Sequence, residues 1–306
     1  MKPIVAPLLF ISILLAAMFG FINSPTALFL GFTFSLFFED PFKKCSQNAI
    51  QILLKASIIG LGFGMYLKDT LETSKEGLGL TFFSIVLTVS LGFLLTRLLK
   101  IDTKLGHLIT SGTSICGGSA IAAISPVIRA NGKTISIALG VVFTLNAIAL
   151  FIFPALGHLF DLDQHQFGLW CAIAIHDTSS VVGAALGYGD EALRIATTVK
   201  LSRTLWIIPL SVLSMFIFKT KGEHIKIPYF ILLFMIAIGI NSYHLVPEAA
   251  THSIVAFSKK LLILTLFLVG TTISIKDLKA TGYKPILLAF CLWIFIAVFS
   301  FLYITN

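Results

Sequence analysis

The sequence predicts an all-α polytopic membrane protein with about nine to eleven transmembrane helices, two of them broken or re-entrant. Of the 306 residues, 57% are hydrophobic and only 12% are charged, and the mean hydropathy is +0.98. Apolar runs of about 20 residues, the length of a bilayer crossing, follow one another along the chain. Two of the runs are interrupted by small and polar residues, which is typical of transporters built from inverted repeats. We predict one integral membrane domain over residues 1–306.

The uninterrupted apolar runs are candidate helices. The first begins after one positive charge, lacks a clear small-x-small cleavage site and is followed closely by the second, so we expect a retained helix instead of a signal peptide. In chain order, the runs lie near residues 4–22, 25–38, 49–66, 78–97, 134–153, 194–217, 228–244, 259–273 and 285–304.

The net charge of +8 comes mainly from Lys and Arg in short loops between these runs. By the positive-inside rule such loops lie in the cytoplasm, whereas loops 154–167 and 245–258 contain neither residue and are predicted to lie outside. Loop 67–77 carries both signs and is the weak point of the assignment. The N-terminus is then cytoplasmic and the C-terminus lies outside the cell membrane. The basic residues are explained by the lipid bilayer, and no nucleic-acid partner is expected.

The interruptions lie at 112–118 and 176–183, inside apolar segments 105–126 and 168–186. They share Thr, Ser, Gly and Ala residues at a constant offset of 65. If 105–126 crossed the bilayer fully, Arg129 would lie outside, against the charge rule. We therefore favour two re-entrant segments that enter from opposite faces, and leave crossing broken helices as the alternative.

Backbone groups freed at such breaks need polar partners at membrane depth, and together with nearby cations they form ion sites. Lys200 and Arg203 share a helical face, with Arg203 near the midplane. N–H groups, hydroxyls and two cations suit a small inorganic or organic anion such as sulfate, a sulfonate or a carboxylate. The candidate binding residues are Thr113, Ser114, Gly117, Gly118, His176, Asp177, Thr178, Ser179, Ser180, Lys200 and Arg203.

The role of Asp177 stays open between an N-cap, an ion-pair partner of the cations and a proton carrier assisted by His176. Asn146 is expected to make a helix–helix hydrogen bond more readily than a ligand contact. The leading function is a secondary transporter, because no nucleotide-binding loop is present. Its coupling ion is predicted to be a proton, with sodium left open. A cation:proton antiporter using Asp177 is the second reading, and a channel or structural subunit the third.

No catalytic motif is found, so an enzyme is not expected, and no cofactor is predicted. The four cysteines lack metal-ligand spacing and read as small buried residues, so no metal is predicted either. A homodimer stays open.

The segments GTSICGGSAIAAISPVI at 112–128, HDTSSVVGAA at 176–185 and GLG at 60–62 resemble the YeiH-like family of uncharacterised bacterial inner-membrane proteins. This family is often labelled as sulfate exporters and is grouped with the cation:proton antiporter and anion transporter superfamily. The resemblance covers most of the chain and implies a transporter. It also implies crossing broken helices at the site, which differs from the re-entrant form that the loop charges favour.

Overall fold

The computed structural model describes residues 2–22, 24–38, 40–219, 229–271 and 282–306. Within these ranges every regular element is a helix, which confirms the all-α prediction. The helices are α1 (Lys2–Phe19), α2 (Ser24–Phe37), α3 (Lys43–Gly62), α4 (Leu67–Leu98), α5 (Thr103–Ser114), α6 (Gly118–Val127), α7 (Gly132–Leu159), α8 (Gln164–Ala174), α9 (Thr178–Tyr188), α10 (Asp190–Thr204), α11 (Ile207–Phe218), α12 (Tyr229–Ser242), α13 (Glu248–Thr271) and α14 (Tyr283–Thr305).

Five helical segments in the described part of the chain are long and apolar enough to cross a membrane: α4, α7, α10 with α11, α13 and α14. Helices α5, α6, α8 and α9 have only 10 to 12 residues each. At a rise of about 1.5 Å per residue, each reaches about halfway through a 30 Å hydrocarbon core. Most of loops 219–226 and 276–284, predicted to be cytoplasmic, lies outside the described residues.

The chain divides into two compact units, and the first comprises residues 1–72 and 228–274. Its core contains the aromatic rings of Phe10, Phe34 and Phe267, whose centroids lie 5.2 to 6.5 Å apart. Gly31 of α2 packs directly on the backbone of α13 at Phe267. Such close contact between helices through small residues is typical of membrane helix packing. The prediction of a single membrane domain over 1–306 stays a prediction.

The second unit comprises residues 73–227 and 275–306 and contains both interrupted segments. Helices α4 and α5 interlock there, because Gly92 of α4 faces Thr110, and Gly106 of α5 faces Thr96. Each glycine leaves the space that the opposite threonine fills, so the two backbones approach closely. His107, also on α5, packs against Phe93 of α4, with ring centroids 5.4 Å apart.

The first interrupted segment folds back on itself. Helix α5 ends at Ser114, residues 115–117 are not helical, and α6 begins at Gly118. The ammonium of Lys104, at the start of α5, donates to the carbonyl of Arg129, just past the end of α6, over 3.0 Å. The two arms therefore begin and end at the same place, and α5–α6 is a hairpin with its tip at 115–117.

The second interrupted segment is also a hairpin. Helices α8 and α9 are separated by residues 175–177. The Tyr188 hydroxyl, at the end of α9, donates to the carbonyl of Leu162 over 2.6 Å. The ring of Tyr188 also stacks on Phe167, near the start of α8, with centroids 3.8 Å apart. The hairpin form predicted from loop charges is therefore confirmed, and the crossing form implied by the family resemblance is not what the structure shows.

Helix α7 links the hairpins and sets their opposite directions. It starts right after the α5–α6 hairpin, with Asn131 as its N-cap, and ends beside the opening of α8–α9. Near its midpoint, Phe143 contacts Gly118, and Asn146 accepts hydrogen bonds from the tip of α8–α9. The hairpins thus open at opposite ends of α7 and their tips meet near its middle, as an inverted pair.

Two details differ from the sequence prediction. The non-helical residues are 115–117 and 175–177, so the polar stretch after Asp177 begins a helix and does not interrupt one. The predicted continuous run at 194–217 also breaks, at 205–206, between α10 and α11. Pro209 explains this break, because its ring clashes with the carbonyl of Leu205, four residues earlier, and it has no N–H to donate.

Candidate functional site

The backbones of the two hairpin tips almost touch. A β-carbon placed on Gly117 would lie 3.3 Å from the Cα of Asp177. Gly117 has φ +62° and ψ −125°, a conformation that side chains other than hydrogen rarely allow. The glycine is therefore required both for the turn and for the close approach of the second hairpin.

Arg203 connects α10 to the first tip. Its guanidinium donates from Nε and Nη2 to the carbonyl of Ser114, over 2.9 and 2.5 Å. The side chain is 0% exposed, and its Nη1 has no hydrogen-bond partner. The Ser114 carbonyl belongs to the end of α5, where helix carbonyls lack intrahelical donors and the helix dipole is negative. The cation therefore stabilises this broken end.

Lys200 has the same relation to the second hairpin. Its ammonium donates to the carbonyls of Ile175 at 2.7 Å and Ala172 at 3.2 Å, at the end of α8. It is also 0% exposed. The two cations, three residues apart on α10, therefore stabilise the C-terminal ends of α5 and α8 respectively.

Asp177 is the N-cap of α9. Its carboxylate accepts from the Ser179 N–H at 3.0 Å and from the Ser179 hydroxyl. The capping role is thereby confirmed. Among the residues that the structure describes, Asp177 forms no salt bridge with either cation, and it acts on Lys200 only through space. Proton carriage by Asp177 stays a prediction.

Asn146 and His176 complete the junction. The Asn146 side-chain oxygen accepts from the N–H groups of His176 and Asp177, at 3.2 and 3.1 Å, which bears out its role in a hydrogen bond between elements. Its Nδ2 has no partner. His176 is 1% exposed, and neither ring nitrogen has a partner. Buried polar groups normally have hydrogen-bond partners, so these atoms are candidates for contact with water or a ligand.

The remaining predicted residues lie on both sides of the tips. Thr113, in the last turn of α5, is buried with an unpartnered hydroxyl. Gly118 begins α6 and packs against Phe143. Thr178 and Ser180 are buried in the first turn of α9. The structure thus gathers the predicted residues at the two tips and the adjoining face of α10, but whether they bind a ligand stays a prediction.

Sequence analysis missed Thr197 as a site candidate. Its buried hydroxyl has no partner, and it lies three residues before Lys200, on the same side of α10. The three-residue spacing from Lys200 is the signal that could have identified Thr197. Thr197, Lys200 and Thr204 lie on one face of α10, but only the charged residue is conspicuous in an apolar sequence.

The junction is electropositive. The N-terminal ends of α6 and α9 meet there, and each carries the positive end of a helix dipole. Gly117 offers no side chain to cap α6. The two buried cations lie at the C-terminal ends of α5 and α8, whose negative dipoles they offset, and Asp177 is the nearby carboxylate. Over the described ranges, no group of His, Cys, Asp and Glu side chains could hold a metal ion.

These features define a multi-pass α-helical membrane protein with two opposed hairpins that meet at a buried, positively charged junction. The sequence profile of the family described as Conserved hypothetical protein 698 matches residues 6–289. The chain belongs to this family, which confirms the resemblance found in the sequence.

Relatives in the family are named UPF0324 membrane proteins. One from Photobacterium profundum is 52% identical over 97% of this chain and 91% of its own length. One from Bacteroides thetaiotaomicron is 48% identical, with coverages of 95% and 88%. One from Shewanella oneidensis is also 48% identical, with coverages of 97% and 94%. The chain is accordingly a membrane protein.

A solved structure, the sodium proton antiporter MjNhaP1 from Methanocaldococcus jannaschii, aligns over 96% of this chain and 100% of its own. The identity is 13% and the TM-score is 0.27. At that score the alignment does not establish a common fold.

Proposed function

We propose that the protein is a secondary transporter of a small anion, driven by an ion gradient, with the proton as coupling ion. The observation that carries this proposal is the complete burial of Lys200 and Arg203 without a salt bridge to an acidic side chain among the described residues. Sulfate, a sulfonate or a small carboxylate has the charge and the acceptor oxygens that this junction lacks.

Electrostatics supports an anion. A cation in the middle of a bilayer costs at least about 3 kcal/mol unless a partner or water compensates for it. Carbonyls at the ends of α5 and α8 compensate part of this cost, but Nη1 of Arg203 still lacks an acceptor. An oxyanion between the tips would accept from this nitrogen and from N–H groups in the first turn of α6, which has no side-chain cap. His176 and Asn146 offer further unpartnered polar atoms at the same junction.

A cation:proton antiporter with Asp177 as the carrier is the second candidate. It is less favoured because the Asp177 carboxylate already caps α9, and because two nearby cations repel a cationic substrate. A channel or structural subunit is the third candidate, which would show conductance or no flux in place of saturable transport. The relatives are named only as membrane proteins, which favours none of the three candidates. The name also does not test the expectation that the chain is not an enzyme.

We further propose that the protein lies in the cell membrane with its N-terminus in the cytoplasm and its C-terminus outside. If the described helices make nine crossings and the two hairpins do not cross, the termini lie on opposite sides; the crossings are α1, α2, α3, α4, α7, α10 with α11, α12, α13 and α14. The basic loops then face the cytoplasm. The α5–α6 hairpin enters from the cytoplasmic face and α8–α9 from outside. Homodimer formation stays open.

Arg203→Ala tests the anion site. We expect it to abolish saturable binding of sulfate, sulfonates or carboxylates by the purified protein, and uptake into proteoliposomes under an imposed pH gradient. Arg203→Lys should restore binding only in part, because an ammonium cannot replace the two parallel donors of the guanidinium. Arg97→Ala, at the end of α4, is the matched control and should bind normally. Normal anion transport by correctly folded Arg203→Ala would refute the proposal.

A further inference from the structure

One face of α5 is polar from its start to the hairpin tip. His107, Ser111 and Ser114 follow at intervals of four and three residues, so they form one stripe. All three are at most 2% exposed. His107 lies about 6 Å from the start of the helix and Ser114 about 17 Å, at a rise of about 1.5 Å per residue. The stripe therefore runs from the open end of the hairpin to the Arg203 contact.

Helix α11 carries the facing half. Ser214 contacts His107, with 2.7 Å between its hydroxyl oxygen and Nε2, while Arg203, just before α11, contacts Ser114. The chain therefore runs antiparallel to α5 here, and Ser211, three residues before Ser214 on the same face of α11, lies at about the level of Ser111 along α5. Ser211 and Ser214 are both 0% exposed.

Several of these polar groups lack protein partners. The hydroxyls of Ser111 and Ser211 have none. The Ser214 hydroxyl donates to the carbonyl of Leu210 at 2.6 Å, so it must accept from Nε2–H of His107. Nδ1 of His107 is then an acceptor without a donor. Buried polar groups of this kind are normally satisfied by ordered water.

The opposite end of the junction has a different lining. Tyr188 stacks between Phe167 and His158, with ring centroids 3.8 and 4.3 Å away. Trp170 packs on Phe153 at 4.5 Å, and its indole N–H donates to the carbonyl of Ala297 at 2.9 Å. None of the unpartnered buried atoms belongs to α8 or α9, both fully described. Aromatic packing therefore closes this end.

We propose that a water-filled polar passage runs between α5 and α11, from His107 past Ser111 and Ser211 to Arg203. The passage gives the junction access from the end at which α5 begins, while the aromatic cluster excludes water from the other end. In this state of the transporter, water reaches the junction from the α5 end. The passage leads to the proposed anion site, but its hydration does not depend on which ion binds there.

Cysteine accessibility tests the passage without any substrate. The four native cysteines are first replaced by alanine, and Ser111→Cys and Ser211→Cys are then introduced singly. Each is exposed in sealed vesicles of either orientation to a small membrane-impermeant methanethiosulfonate that carries a sulfonate. Gly132→Cys, exposed at the start of α7, marks the α5 end, and Asp161→Cys, exposed beyond α7, marks the other. Ser300→Cys on α14, equally buried but with its hydroxyl bonded to Ile296, is the matched control.

We expect Ser111→Cys and Ser211→Cys to react only from the side that labels Gly132→Cys, and Ser300→Cys to remain unlabelled from both sides. Adding His107→Phe should slow the reaction at Ser211→Cys, because an apolar ring then fills the entrance between Phe93 and Phe218. The proposal is overturned if neither serine position reacts faster than Ser300→Cys, or if both react from the Asp161 side. Labelling combined with a failure to bind anions would leave the passage intact and refute the anion site alone.

Discussion

The two hairpins share a topology but differ in composition. The α5–α6 hairpin contains no Phe, Trp or Tyr, has a polar stripe along its first arm and turns through Gly117 at positive φ. The α8–α9 hairpin has Phe167, Trp170 and Tyr188 near its opening, and its tip is fixed by Asn146 and capped by Asp177. The difference shows that a repeated shape can serve two purposes. Under our proposal of a polar passage, one hairpin admits water and the other excludes it.

Their tips also depend on different kinds of contact. The first tip relies on one glycine and on a charged donor from α10, Arg203. The second adds the neutral side chain of Asn146 and its own N-cap to the charged donor Lys200. Substitutions at the first tip should therefore affect both folding and ligand binding. At the second tip, the effect of a substitution should depend on which of these contacts it removes.

Gly117→Val should have the largest effect. The substitution places a β-branched side chain at φ +62° and against the backbone of Asp177, so we expect a loss of about 3 kcal/mol, the upper end of the usual range for backbone strain. Thermal unfolding of the purified protein measures the loss. Gly132→Val, where a β-carbon meets no atom within 4 Å, is the control and should unfold like the parent. Equal stability of the two variants would show that the tip does not need its glycine.

Asn146→Ala should have an intermediate effect. It leaves the N–H groups of His176 and Asp177 buried without an acceptor, at a cost of about 1–3 kcal/mol for each group that water does not reach. Stability and anion affinity should both fall. Asn241→Ala removes a single bond to the Met65 carbonyl in the other unit. That control should lose stability but keep its anion affinity. An unchanged anion affinity in Asn146→Ala would show that the second tip takes no part in the anion site.

Asp177→Asn should have the smallest effect. An asparagine oxygen caps a helix about as well as a carboxylate, so stability should change by only a few tenths of a kcal/mol. If capping is the only role of Asp177, transport and its pH profile should stay near normal. Asp163→Asn, the same change at the N-cap of α8, is the control. If gradient-driven flux disappears in Asp177→Asn while exchange of substrate for substrate persists, Asp177 carries the proton. If a cation flux is lost with no anion dependence, the antiporter reading replaces the anion reading.

Much of the architecture could be predicted from the sequence, because membrane helices and loop charges follow simple rules. The hairpin form of 105–126 followed from Arg129, Lys133 and the uncharged loop 154–167 through the positive-inside rule. The break before Pro209 was missed because the sequence stays apolar on both sides of it, and hydropathy does not register a lost N–H. The cations were found, but their carbonyl partners at Ser114 and Ile175 were not, since backbone groups leave no signal in side-chain patterns. The aromatic cluster was not predicted, because its residues come from three segments of the chain that only the fold brings together.

Both cations belong to one helix, α10, and this has a consequence for biogenesis. Residues 103–188, which form both hairpins, leave the ribosome before Lys200 and Arg203 do. The carbonyls of Ser114 and Ile175 thus exist before α10 is inserted, and the cost of carrying two charges into lipid falls if the hairpins are already in place. The order of the segments along the chain is then also an order of assembly. Each acceptor carbonyl is synthesised before the cation that donates a hydrogen bond to it.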